Sequence, residues 1–191
     1  IEINGKYYIF YHRHSNRKQS SRQACAEQIR FENGKFYQAE MTSCGLNDGP
    51  LRGKGNYPAY IACNLYGKKG TRFLSMLKHP KNGYPFFTQK GGDRENGEDQ
   101  YIANMCDGAV AGFKYFDLSK TGAVRINIKG KAEGTVLVRT SEKGETVAEI
   151  PVKPCREVHG FSAKIAGLGE KEALFFSFQG KGAFDFFSFD L

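Results

Sequence analysis

The 191-residue sequence has no tryptophan and only three methionines and four histidines, and no stretch approaches the ~20 apolar residues that a membrane-crossing helix needs. Its five cysteines, Cys25, Cys44, Cys63, Cys106 and Cys155, are odd in number, far apart and without a Cys-x-x-Cys pair. Neither a zinc site nor a redox couple is signalled by that spacing. They read as mostly buried thiols, although strands can still bring two together, which leaves the redox compartment open. No segment carries a convincing 3.6-residue apolar period, so helices are not expected. The chain starts at Ile1, and its first residues read as a strand rather than as a basic, apolar, cleavable leader; the start resembles a cut end.

What is present is aromatic and turn-forming: 16 Phe, 10 Tyr and 23 Gly, with 40% hydrophobic residues, enough apolar material for a globular core. Lys and Arg outnumber Asp and Glu by 28 to 20, a formal charge of +8. Most of the basic residues, among them Lys68, Lys69, Lys78, Lys81, Lys129 and Lys131, fall in Gly- and Asn-rich turns, and only residues 12–22 are dense, with Arg13, Arg17, Lys18 and Arg22. That scatter reads as a solvated face. A nucleic-acid binder would interleave Arg with exposed aromatics and draw affinity from counterion release. Here the aromatics alternate inward along strands and no such motif occurs, so neither nucleic acid nor membrane is an expected partner.

Short alternating runs punctuated by Gly, Asn and Pro predict an all-β protein. Tyr7 to Tyr11 follows the turn pair Asn4-Gly5, residues 24–31 alternate, and Asn33-Gly34 is a two-residue hairpin signal before residues 36–41. These three strands form a meander with an apolar face on each side, which needs neighbours to cover both. Residues 44–57, rich in Gly, Asn and Pro, suit a connector. Strands then resume at 59–65, 71–77, 84–88, 101–105, 109–118, 123–128, 135–140, 146–152, 161–165, 173–178 and 184–189. That density fits two packed sheets able to fold alone. The predicted architecture is a β-sandwich over 56–191, preceded by an incomplete unit and connector over 1–55.

The segments Tyr7-Tyr8-Ile9-Phe10-Tyr11-His12 and Ser20-Ser21-Arg22-Gln23-Ala24, followed by a strand and Asn33-Gly34, resemble the last blade of the five-bladed β-propeller of glycoside hydrolase family 43. The second part resembles a family 6 carbohydrate-binding module, a jelly-roll sandwich commonly appended to such propellers. That likeness is carried by Tyr101-Ile102-Ala103-Asn104, Asp107-Gly108, residues 112–116, the alternating residues 124–128 and the ending Phe184-Asp185-Phe186-Phe187-Ser188-Phe189. Blade followed by sandwich is more specific than either piece.

The resemblance implies that the family's three catalytic carboxylates belong to earlier blades absent from this sequence. It places His12 near the propeller's central channel, beside a metal ion or ordered water, and gives Arg22 a role in contacting sugar hydroxyls or fixing a carboxylate. In the sandwich, the family's usual Trp and Asn are replaced, since Asp107-Gly108-Ala109-Val110 and Gly182-Ala183-Phe184-Asp185 stand at those places. Tyr101, Asn104, Asp107 and Phe113 are the surviving sugar-binding candidates, because an aromatic face attracts pyranose CH groups while amides and carboxylates bond hydroxyls. Tyr57, Tyr60 and Tyr84 offer an alternative platform, and His14 reads as exposed.

Family 6 modules also imply a structural Ca²⁺, which would rest here on Asp185; the first-strand Glu of the pattern is missing from Ala59-Tyr60-Ile61-Ala62, with Glu40 as a substitute. The run from Asp93 to Asp99 fails the alternating spacing of a calcium loop and reads as a solvated hairpin. The leading expectation is the C-terminal part of a hydrolase of arabinose or xylose linkages in plant polysaccharides, with carbohydrate and the remainder of the propeller, in cis or trans, as partners. The alternative is a free-standing carbohydrate-binding or interaction domain without catalysis.

Overall fold

Two Asn-Gly pairs shape the start of the chain. Asn4 and Gly5 (φ 50° and 74°) and Asn33 and Gly34 (φ 51° and 75°) are left-handed at both central positions, the geometry of a tight antiparallel hairpin. In the computed structural model, which describes residues 1–17, 20–68, 83–90 and 100–191, the first pair joins β1 (Glu2–Ile3) to β2 (Lys6–His14). β2 pairs with β3 (Arg22–Ile29) to complete a three-stranded antiparallel sheet. The second pair joins β4 (Phe31–Glu32) to β5 (Lys35–Phe36), whose rings close on Tyr7 with centroids 4.7 Å (Tyr7–Phe31) and 4.6 Å (Phe31–Phe36) apart.

The remaining strands build two facing sheets. They are β6 (Leu51–Arg52), β7 (Asn56–Pro58), β8 (Asn64–Tyr66), β9 (Phe86–Gln89), β10 (Gln100–Cys106), β11 (Val110–Asp117), β12 (Ala123–Gly130), β13 (Glu133–Arg139), β14 (Thr146–Val152), β15 (Cys155–Lys164), β16 (Glu172–Lys181) and β17 (Ala183–Asp190). One sheet runs β15-β12-β17-β10-β9 with β7 also on β17; the other runs β14-β13-β16-β11-β6 with β8 also on β11. Alternation sorts each strand: on β17, Phe184, Phe186 and Phe189 are buried, while Asp185 and Phe187 point the other way. The core between the sheets is aromatic, with Phe113 4.7 Å from Phe189 and Phe176 5.5 Å from Phe186.

Several expectations change in detail. Residues 59–61 form a single 3-10 turn, not the start of a strand, because Pro58 withholds its N–H and the small Ala59 and Ala62 sink fully into the core. Within the expected connector, Leu51–Arg52 pairs in parallel with β11 and Asn56–Pro58 pairs with β17. Gly53 explains how the chain gets so close: a Cβ there would stand 1.9 Å from the Asp117 carbonyl oxygen. β15 begins at Cys155, before the expected 161; its first half pairs with β12 but is exposed and carries no apolar alternation to mark it in the sequence. The expected strand at 71–77 and the run from Asp93 to Asp99 lie outside the described residues.

The meander was expected to be oily on both faces; one of them is polar. Register places Tyr11 opposite Cys25, Arg13 opposite Gln23 and Ile9 opposite Glu27 on one side, and this side meets the sandwich. The other side carries Phe10, 54% exposed, with His12, His14 and Arg22, all exposed.

Candidate functional site

Three of the sequence candidates converge on the outward face of the β9–β15 sheet. Tyr101 on β10 lies stacked on Phe187 of β17, with ring centroids 4.7 Å apart and planes at 23°. Beside them, Asp185 accepts the Asn104 backbone N–H at 3.1 Å, and the Asn104 side chain donates to the Tyr84 carbonyl at 3.0 Å. Asn104 reaches this position through a bulge: its φ is 60°, and the β10–β17 register shifts between Ile102 and Met105. Burial holds the Asp185 carboxyl above its ordinary range, against the pull of the Asn104 N–H and Lys129. Burial, then the neighbouring Asp185 charge, raises the Tyr101 phenol.

Along the same face runs a polar ladder. Asp190 accepts from Asn56 at 2.7 Å and from Asn127 at 2.8 Å, and both amides also reach the Ser188 hydroxyl at 3.1 Å. Arg125 lies flat across β15 because residue 160 is glycine; a Cβ there would fall 1.9 Å from the Arg125 Nε. At one end a cleft of about 560 Å³ opens between Asn104, Asp185, Lys129 and Lys131. An aromatic slab flanked by amides, carboxylates and cations suits a polyhydroxylated ligand with apolar ring faces.

The other candidates lie elsewhere. Phe113 is not a ligand contact but a fully buried core ring against Phe176, Phe186 and Phe189, because its position on β11 points between the sheets. Asp107, in the β10–β11 turn, accepts from the Gly180 N–H at 3.2 Å and Lys68 Nζ at 3.3 Å, and these bonds lower its pKa. Tyr57, Tyr60 and Tyr84 do not form a platform. Tyr57 packs edge-on against Phe116 at 5.0 Å, the Tyr60 carbonyl is engaged by Arg13, and the Tyr84 ring lies 4.9 Å from the Arg17 guanidinium.

His12 and Arg22 stand on the blade face turned away from the sandwich. For the metal, His12 and Asp185 belong to separate sheets, residues 59–61 are a turn, and Glu40 bonds Tyr115 Oη at 2.8 Å and Lys114 Nζ at 3.1 Å on the opposite sheet. No group of three or more His, Cys, Asp or Glu side chains able to hold a metal occurs among the described residues. All five cysteines are free and half-buried.

Sequence reasoning missed the joint between the two units. Arg13 Nε donates to Gln23 Oε1 at 2.7 Å, its other two nitrogens donate to the Ala62 and Tyr60 carbonyls, and the guanidinium lies 3.6 Å from the Phe87 ring centroid. Gln23 passes the contact on to Gln100 at 2.6 Å. Glu27, 3% exposed, accepts from Tyr11 Oη (3.1 Å), Thr42 N (2.9 Å) and Thr42 Oγ1 (2.7 Å). These residues border a cavity of about 380 Å³ between the blade and the sandwich. Burial lowers the Arg13 pKa and raises that of Tyr11, the latter reinforced by Glu27. The available signal was a single charged residue on the inward-facing side of each of two paired strands, Arg13 on β2 and Glu27 on β3.

No family model matches the sequence. Over its whole length, however, the chain is 45% identical to a curated protein of Thermoclostridium stercorarium, "Xylosidase/arabinosidase", of which it spans 41%. A glycoside hydrolase family 43 arabinoxylan arabinofuranohydrolase from Bacillus subtilis superposes on 98% of the chain with a TM-score of 0.61, over 38% of its own length and at 14% identity. These likenesses give the chain the fold of a propeller blade joined to a jelly-roll sandwich. A family 6 module from Clostridium stercorarium, solved with cellobiose, covers 74% of the chain at a TM-score of 0.56 and 16% identity, using 95% of its own length. The sandwich is thus matched by whole modules, and the longer superposition extends across the blade.

Proposed function

We propose that this chain supplies the closing blade and an accessory sandwich to a glycoside hydrolase acting on arabinose or xylose linkages of plant polysaccharides. The observation that carries this reading is the 45% identity along the full chain to a protein named for that activity. We assign hydrolysis, which needs a flanking carboxylate pair about 5–9.5 Å apart, to carboxylates outside this chain, following the resemblance that puts them on earlier blades. The exposed face bearing Phe10, His12 and Arg22 is the surface offered to the rest of the propeller. On the sandwich, Tyr101 and Phe187 are the platform for a sugar ring, and Asn104 and Asp185 are the groups beside it that bond hydroxyls.

The test has two arms. Chromogenic arabinofuranosides and xylosides added to the chain alone should give no turnover, and the chain should co-elute with a supplied upstream propeller; turnover by the isolated chain overturns the assignment. In titration calorimetry with xylan and arabinan oligosaccharides, Tyr101→Ala should weaken binding. An unchanged affinity removes the platform from the reading.

A further inference from the structure

The blade and the sandwich meet through fully engaged polar side chains, an expensive joint to build unless geometry is what it secures. We propose that Arg13 locks the two into one rigid body, so that the Tyr101–Phe187 face keeps a fixed direction relative to the blade. The inference concerns the joint, and it stands whether or not that face takes sugar.

Each Arg13 nitrogen is used, and each use needs the planar fork. Nη1 and Nη2 reach the carbonyls of Ala62 and Tyr60, at the end of the 3-10 turn Ala59–Ile61, where carbonyls have no partner within the turn. Nε holds Gln23 at 2.7 Å, and Gln23 holds Gln100 at 2.6 Å, the residue next to Tyr101. The chain of bonds therefore runs from the blade's second strand to the strand that carries the aromatic face. A lysine can keep the charge but cannot bridge two carbonyls and an amide at once.

Rigidity follows from where the other contacts fall. The Asn16 N–H donates to the Phe87 carbonyl at 2.8 Å, and Thr88 Oγ1 donates to Asn16 Oδ1 at 2.6 Å, both on β9. Residues 42 and 43 tie the blade to the opposite sheet: Thr42 binds Glu27, the Ser43 N–H donates to the Lys114 carbonyl, and the Lys114 N–H returns to Ser43 Oγ at 3.2 Å. Two attachments permit rotation about the line between them. Three, spread over the 3-10 turn and both sheets, do not, and Arg13 makes the one at the turn.

Nitrogen-15 relaxation and amide exchange on the sugar-free full chain test this. Amides of β2, β3, β12 and β17 should report one rotational correlation time in the unsubstituted protein. In Arg13→Met, β2 and β3 should tumble faster than the sandwich and lose about tenfold or more of their exchange protection, with β12 and β17 unchanged. Arg13→Lys should behave like Arg13→Met. A common correlation time and undiminished protection in either variant overturns the proposal, as do two correlation times in the unsubstituted chain. An unfolded sandwich in either variant also overturns it, because the role assigned to Arg13 ends at the joint.

Discussion

Inside the sandwich, Phe113, Phe176, Phe186 and Phe189 meet ring to ring at centroid distances of 4.7 to 6.3 Å, and no charged side chain enters the contact. The blade meets the same sandwich through Arg13, Gln23 and Glu27, and turns Phe10 to solvent, 54% exposed. Apolar packing is strong and tolerant of small shifts, because it depends on area and fit. A buried polar joint allows one arrangement, since any shift leaves donors or acceptors unmet. The sandwich's interior thus supplies stability, and its contact with the blade supplies orientation.

The largest expected effect breaks the apolar side of that contrast. Phe186→Ala empties the centre of the core and should lower stability by about 3–5 kcal/mol, read as an earlier urea midpoint for blade and sandwich together. A midpoint within a tenth of the original would mean that the core is not what sustains both. Glu27→Ala comes next: it strands the Thr42 donors and the Tyr11 hydroxyl, a loss of about 1–3 kcal/mol that amide exchange should locate in β2 and β3 and not in β12.

Much of this architecture was legible in the sequence. The Asn4-Gly5 and Asn33-Gly34 turns, the β2 aromatics and the alternation of β12 and β17 are local features, and local features set turns and faces. The joint was not legible, because the Gln23–Gln100 and Arg13–Tyr60 contacts link residues far apart in the chain, and nothing local marks an inward Arg as paired. Phe113 was misassigned for a related reason. Alternation says that two faces exist, but which one is inside depends on the sheet opposite. Tyr101, Asn104 and Asp185 do share one face, yet their neighbour Phe187 was passed over as one more aromatic in an aromatic strand.

Tyr101→Ala sharpens the comparison at the surface. It should cost about 1 kcal/mol of oligosaccharide binding, roughly five- to tenfold in affinity, with the melting curve hardly moved; a collapse of the fold would instead make Tyr101 a structural residue. The smallest effect is electrostatic. Because burial raises the folded-state pKa of Asp185 above 3.8, the native state binds its proton more tightly than the unfolded chain does. That contribution is full below 3.8 and is lost as pH rises through the raised value. Asp185→Asn should therefore flatten the stability profile across that window and leave it parallel to the original at neutral pH. Asp107 and Asp117, whose pKa values are lowered, act in the opposite sense and lose their contribution as pH falls.

The strap at residues 42 and 43 has a consequence for anyone recombining such proteins. Thr42 is fastened to the blade's Glu27 and Ser43 to the sandwich's Lys114, so adjacent residues belong to different neighbours. A splice placed in the Gly- and Asn-rich stretch that follows, where an alignment would invite one, keeps Thr42 on Glu27 but parts Ser43 from Lys114. Swapping in a foreign sandwich there would produce a tethered passenger with no set heading, and a transplant that keeps its aim must carry the blade along.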